Sequence, residues 1–150
     1  MKETNILIET NIDDMNPQLY EHASEKLFEA GALDVFIQNI MMKKFRPGIK
    51  LSILCEEKAR EKVLSTLFTE TTAIGARILP VEKVKLDRRV EKIDTKYGQV
   101  TVKIASMNGE VLNARPEYED CRKLALAGKV PLKKVLAEAE AKAKELYRAI

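Results

Sequence analysis

TNILIETNIDDMNPQLYEHASEKLFEAGALDVFIQNIMMKKFRPGIKLSILC, residues 4–55, is the stretch on which the fold turns. Thr4 to Thr10 is short and rich in β-branched residues, the composition of a strand. Asn11 to Asn16 is polar and holds Asp13 and Asp14, so the chain leaves the strand there. Asn16 followed by Pro17 reads as an N-cap and a first helical residue. Leu19, Ala23, Leu27 and Ala30 recur at helical spacing, Tyr20 and Phe28 widen the stripe, and Gly31 supplies the C-terminal stop. Val35 to Met42 is a second strand. Arg46-Pro47-Gly48 predicts a type II turn, in which Pro presets φ and Gly accepts a positive φ. Ile49, Leu51 and Ile53 alternate with Lys50, Ser52 and Leu54, so a third strand returns antiparallel to the second.

Beyond this stretch, a second helix over 56–68 gathers Ala59, Val63, Leu64, Leu67 and Phe68 on one face. Thr69 to Thr72 breaks it, and 73–79 reads as a fourth strand, interrupted by Gly75 and closed by Pro80. The order β-α-β-β-α-β makes residues 4–84 a ferredoxin-like subdomain. Its two helices cover one face of a four-stranded antiparallel sheet and leave the other face for a ligand or partner. Residues 85–150 read as a β-hairpin followed by two C-terminal helices. The hairpin pairs Val90–Thr95 with Gln99–Ala105 around Lys96-Tyr97-Gly98, and Asn108-Gly109 makes a tight turn before a brief strand at 111–113. One helix opens at Pro116 and ends at Gly128; the last opens at Pro131 and buries Leu132, Val135, Leu136, Ala139, Ala143 and Leu146. The fold class is α+β, and the two parts are expected to pack as one compact unit.

The bulk numbers bound the function. A chain of 150 residues, 45% apolar, can bury a core without staples. The 26 basic and 23 acidic residues are interleaved and leave a net charge of +3, which does not describe a dedicated nucleic-acid surface. Cys55 and Cys121 are far apart and form no CxxC, so they read as buried thiols in a reducing compartment rather than as zinc ligands. The start MKETNILIET lacks a signal peptide's apolar core, and no run of apolar residues is long enough to span a bilayer. A cytoplasmic location is expected.

Four constellations carry chemistry. Asp13 and Asp14 precede a helix N-terminus, where carboxylates complement the helix dipole or, alternatively, bind a hard divalent cation. Lys43, Lys44 and Arg46 crowd a hairpin, either as a solvated turn or as a polyphosphate clamp. Thr71, Thr72 and Arg77 flank Gly75, whose place in a strand-like run marks a bulge or a close backbone approach to a ligand. Arg115 precedes Glu117 and Asp120, which share a helix face three residues apart, so an anion grip and a cation site stand side by side. The single histidine, His22, lies beside an apolar stripe and supports no His-based catalytic arrangement. No P-loop pattern occurs.

Taken in order, these segments resemble the C-terminal domain of the LarC nickel-insertion protein family. The likeness is carried by ETNIDDMNPQLYE (Glu9 to Glu21), LFEAGALDVF (Leu27 to Phe36), MKKFRPG (Met42 to Gly48), LFTETTAIGAR (Leu67 to Arg77) and NARPEYEDCRKLA (Asn113 to Ala125). The resemblance implies a CTP-dependent cyclometallase. That activity inserts nickel into pyridinium-3,5-bisthiocarboxylic acid mononucleotide to form the nickel-pincer nucleotide cofactor of lactate racemase. It implies a nucleotide-binding module taking CTP with Mg²⁺ or Mn²⁺. Nickel is then handled by the full-length protein, whose N-terminal domain carries a histidine-rich region and is the expected partner. On the matching segments, Lys43, Lys44, Arg46, Arg77 and Arg115 by their charge, with Thr71 and Thr72, would hold the nucleotide, Asn113 its cytosine edge, and Asp13, Asp14, Glu117 and Asp120 its metal. No catalytic residue follows from the resemblance.

Two other readings compete. One is a non-catalytic ligand-sensing or oligomerisation module, since ferredoxin-like domains often associate through an open sheet face or edge. The other is RNA binding on the sheet face, against which stands the absence of paired aromatics in Ile49 to Cys55. Self-association into a homo-oligomer is expected; nucleic acid and membrane are not expected partners.

Overall fold

The computed structural model describes residues 2–146. The chain divides into two compact units, Lys2–Val84 and the segment from Lys85 onward.

The first unit runs β1 (Lys2–Ile12), α1 (Leu19–Glu29), β2 (Ala32–Met41), β3 (Pro47–Cys55), α2 (Arg60–Glu70) and β4 (Arg77–Val84). Its sheet has the order β2-β3-β1-β4, antiparallel at every step. The period-2 pattern of strands sets the core. Ile6 and Ile8 of β1 and Leu51 and Ile53 of β3 point one way and pack against Leu27 of α1 and Val63 and Leu67 of α2. The helix begins later than Asn16 and Pro17 suggest: Gln18 stands at the N-cap position without a side-chain cap, and Asn16 Oδ1 accepts the Gln18 amide at 3.0 Å in the turn before it. Gly31, at φ +111°, ends α1 in the left-handed region that other residues avoid.

Two expectations are corrected here. The chain reverses at Lys43–Phe45, a single 3-10 turn in which Lys44 and Phe45 take positive φ, and the Met42 amide reaches the Arg46 carbonyl at 2.8 Å. Arg46-Pro47-Gly48 is therefore no type II turn, and Pro47 already begins β3. Gly48 is needed for space instead: a Cβ there would lie 2.7 Å from the Ile12 carbonyl oxygen. The fourth strand also starts four residues late, at Arg77, and carries Pro80 inside it. β4 is a sheet edge, where a residue without an N–H costs no ladder bond.

The second unit holds β5 (Asp87–Thr95), β6 (Gly98–Met107), β7 (Glu110–Pro116), α3 (Tyr118–Ala127) and α4 (Leu132–Glu145). The expected hairpin is part of a three-stranded meander, β5-β6-β7. Asn108 (φ 54°) and Gly109 (φ 85°) form the tight turn between β6 and β7. Pro116 closes β7 rather than opening α3. Small residues build this core: Val100, Cys121, Ala125, Val135 and Ala139 in one cluster, Val102, Ile104, Val111, Ala114 and Ala143 in another. Among the described residues no helix is long and apolar enough to cross a membrane.

Candidate functional site

β1 has two chemically different faces. Ile8, Thr10 and Ile12 are buried on one, while Leu7, Glu9 and Asn11 stand on the other. The antiparallel register sets Glu9 opposite Ser52 of β3 and Arg77 of β4, and sets Asn11 opposite Lys50. Glu9 takes Lys50 Nζ on Oε1 at 3.0 Å and accepts the Ser52 hydroxyl on the same oxygen at 3.2 Å. Its Oε2 lies 3.8 Å from Arg77 Nη2, which donates to Asn11 Oδ1 at 2.7 Å. The Lys50 ammonium holds the Glu9 carboxyl below the usual carboxylate range; Ser52 and Arg77 add to the effect and burial opposes it.

Past β1 the two aspartates diverge. Asp13 Oδ2 lies 3.5 Å from Arg46 Nη1, at the β2–β3 reversal. Asp14 Oδ1 accepts the Thr72 hydroxyl at 2.6 Å, from the segment between α2 and β4. Tyr20, in the first turn of α1, has its phenol pushed up by burial and then by the negative charge of Asp14. That α2–β4 segment is tied to the sheet where Thr10 Oγ1 donates to the Gly75 carbonyl at 2.8 Å.

Three of the expected constellations thus meet at one end of one sheet: Asp13 and Asp14, Arg46, Thr72 and Arg77. Lys43 and Lys44 lie exposed in the turn directly before Arg46. Thr71 is used locally, donating to the Leu67 carbonyl at 2.6 Å and accepting the Ala73 amide at 3.2 Å. His22 is exposed on α1 and pairs with Glu70 at 3.4 Å.

The fourth constellation belongs to the second unit, and its members are held separately. Asn113 and Arg115 lie on β7, where Arg115 Nε donates to Asn113 Oδ1 at 3.3 Å. Glu117 pairs with Lys103 of β6. Asp120 Oδ2 accepts the Thr101 amide at 2.9 Å, and the Thr101 hydroxyl and amide together hold its carboxyl below the ordinary range. The Glu117 amide donates back to the Thr101 carbonyl at 2.8 Å, so Asp120 and Glu117 fasten the start of α3 to β6. Among the described residues no three His, Cys, Asp or Glu side chains converge to hold a metal.

Sequence reasoning missed Glu9, Lys50 and Ser52 as participants. The alternation in β3 set Lys50 and Ser52 apart from Leu51 and Ile53, but placing them in one row with Glu9 and Arg77 requires the register.

Comparison with known proteins agrees with this architecture. Residues 1–136 match the family described as nickel insertion protein. A Thermotoga petrophila protein named pyridinium-3,5-bisthiocarboxylic acid mononucleotide nickel insertion protein is 53% identical over 133 residues, covering 89% of this chain and 34% of that protein. A protein of the same name from Clostridium acetobutylicum is 50% identical over 133 residues, covering 89% of this chain and 32% of that one. The chain therefore spans about a third of the length of these curated relatives. Among solved structures, it is similar to LarC2, the C-terminal domain of a cyclometallase involved in the synthesis of the NPN cofactor of lactate racemase. That match has TM-score 0.89 and 31% identity and covers 96% of this chain and 99% of the other. A Methanopyrus kandleri protein is similar at TM-score 0.68 and 25% identity, covering 95% of this chain and 90% of that one.

Proposed function

The chain belongs to the nickel insertion protein family, and from that premise we propose that it is the metal–CTP-binding domain of a nickel-inserting cyclometallase. Its substrates are CTP with Mg²⁺ or Mn²⁺, nickel, and pyridinium-3,5-bisthiocarboxylic acid mononucleotide. The product is the nickel-pincer nucleotide cofactor of lactate racemase. Nickel is delivered within a longer protein, in which CTP hydrolysis is coupled to carbon–nickel bond formation.

The observation that carries this reading is the convergence of Asp13, Asp14, Thr72, Arg46 and Arg77 at one sheet end. The donor set fits a nucleotide-bound divalent ion. Mg²⁺ is characteristically held by one or two carboxylates and completes its shell with phosphate oxygens and water. When bound, the ion neutralises charge and polarises a phosphoryl oxygen. Arg46 and Arg77 present forks suited to phosphate, and Lys43 and Lys44 add point charges beside them. Glu9 and Asn11 orient Arg77 before any ligand arrives, so less side-chain freedom is lost on binding. Thr72 fixes the rotamer of Asp14. Self-association belongs to the same reading, because β2 is a sheet edge with Leu33, Phe36, Ile37 and Met41 exposed.

Calorimetry with CTP, ATP and GTP, each with and without Mn²⁺, tests the proposal. Metal-dependent binding that favours CTP supports it. No nucleotide binding by a folded sample sinks it and leaves a ligand-sensing or assembly role. Arg77→Ala and Asp14→Ala should each weaken CTP binding by about tenfold or more, the loss of one charge-assisted contact.

A further inference from the structure

The second unit carries a cationic surface that the cluster around Asp13 does not share. β5, β6 and β7 align Arg88 with Ala105 and Asn113 in one row, and Val90 with Lys103 and Arg115 in the next. Side chains opposite each other on neighbouring strands stand about 5 Å apart, so three cationic groups crowd one patch. The reverse face of the same strands is taken up by the core, where Ile104 and Ala114 pack with Ala143 of α4. The cations therefore stand on the open face, around a cavity floored by Val90 and Ala105. Lys103 is paired with Glu117, and Arg115 leans on Asn113. Among the described residues, three positive charges stand against that one carboxylate. Like charges opposite each other destabilise a sheet, so this arrangement is one that a bound anion relieves.

The chemistry narrows the ligand. An apolar floor suits a flat ring, and a rim of guanidinium forks suits a phosphate or carboxylate in bidentate contact. We propose that the open face of β5-β6-β7 binds a phosphorylated mononucleotide bearing an acidic ring. The phosphate or ring acid is gripped by Arg88 and Arg115, and the ring lies over Val90 and Ala105. Naming the acid-bearing pyridinium mononucleotide as its ligand rests on the function proposed above; the site itself rests only on the register and the charges. The first unit then takes the metal–triphosphate and the second the substrate to be metallated.

The test is amide chemical-shift mapping of the whole chain with nicotinic acid mononucleotide, a pyridinium mononucleotide with one ring carboxylate. Saturable shifts at 88–90, 103–105 and 113–115 are expected. Arg88→Ala and Arg115→Ala should each weaken the probe about tenfold or more, with Arg115→Lys intermediate because it keeps the charge and loses the fork. The amide dispersion of each variant verifies its fold, and both arginines are exposed. CTP affinity in the presence of Mn²⁺ should not change in Arg88→Ala. No saturable binding, shifts elsewhere, or variants that bind as tightly as the parent overturn the proposal. So does CTP with Mn²⁺ shifting these same amides. If CTP binds nowhere while the probe still titrates this face, the nucleotide reading fails and the surface assignment stands.

Discussion

The two units hold their charges and their cores in different ways. In Lys2–Val84 three cations of the sheet are braced by acids: Lys50 and Arg77 by Glu9, Arg46 by Asp13. In the unit from Lys85 onward, Arg88, Lys103 and Arg115 share one patch, and among the described residues only Glu117 answers them. A braced cation is oriented before its ligand arrives, which suits exact geometry around a metal–phosphate group. A loosely held patch selects by charge first and by shape second. The cores differ in parallel. Long aliphatic residues such as Ile8, Leu27, Leu51, Ile53 and Leu67 fill the first, whereas alanines at 125, 139 and 143 let helices sit close to the second sheet. The first unit is therefore vulnerable to cavities, and the second to added volume.

That contrast sets the size of the expected effects. Leu27→Ala should cost about 2–5 kcal/mol in chemical denaturation, from lost burial plus a residual cavity. Hydrogen exchange should locate the loss in the amides of Lys2–Val84. A loss spread equally over both units would break the comparison. Ala139→Leu should cost about 1–3 kcal/mol through overpacking, registered in the second unit. A neutral outcome there would show that its core has room. Asp120→Ala should cost about 1–2 kcal/mol, because a part-buried, charge-assisted bond to the Thr101 amide is removed.

Acid should act on each unit through a carboxylate that its partners hold low. The Glu9 carboxyl is lowered from an ordinary value of 4.5 and that of Asp120 from 3.8. A carboxylate whose folded pKa is depressed stabilises the fold fully above its unfolded value. That contribution fades as pH falls through the folded one. Stability measured by urea denaturation should thus decline below about pH 4.5, and further below about pH 3.8. Glu9→Gln should flatten the decline in the first unit and Asp120→Asn that in the second; an unchanged profile in either variant would remove that group as the source. The smallest effect concerns the thiols. Cys55 and Cys121 are fully buried, and burial pushes both thiols up. Ellman's reagent should label neither in the native state. On partial denaturation, the cysteine that reacts first marks the unit that opens more easily, and simultaneous labelling would mean the two open together.

Legibility in the sequence followed the range of the interactions involved. Element type came from local periodicity: Leu19, Ala23, Leu27 and Ala30 at helical spacing, and Ile49, Leu51 and Ile53 in alternation. The ferredoxin-like order and the Asn108-Gly109 turn were readable for the same reason. Punctuation by proline and glycine was misread where a neighbour in space, not in sequence, decided it. Gly48 is small because the Ile12 carbonyl passes close by, and Pro80 is tolerated inside β4 because β4 is an edge. The site divides along the same line. Asp13, Asp14, Arg46, Thr72 and Arg77 stand out as charged or hydroxyl residues in loops and at strand ends, so residue type alone nominates them. Glu9 joins Lys50, Ser52 and Arg77 only because residues 43 and 68 positions apart are set opposite one another by antiparallel register. Likewise Arg88 meets Lys103 and Arg115 only across three strands. By itself the sequence determined which segments are helix and strand and which residues carry charge out of the core, because those follow from nearest neighbours and period. The tertiary structure alone decided which charges face one another, because register is a property of paired strands and no single strand contains it.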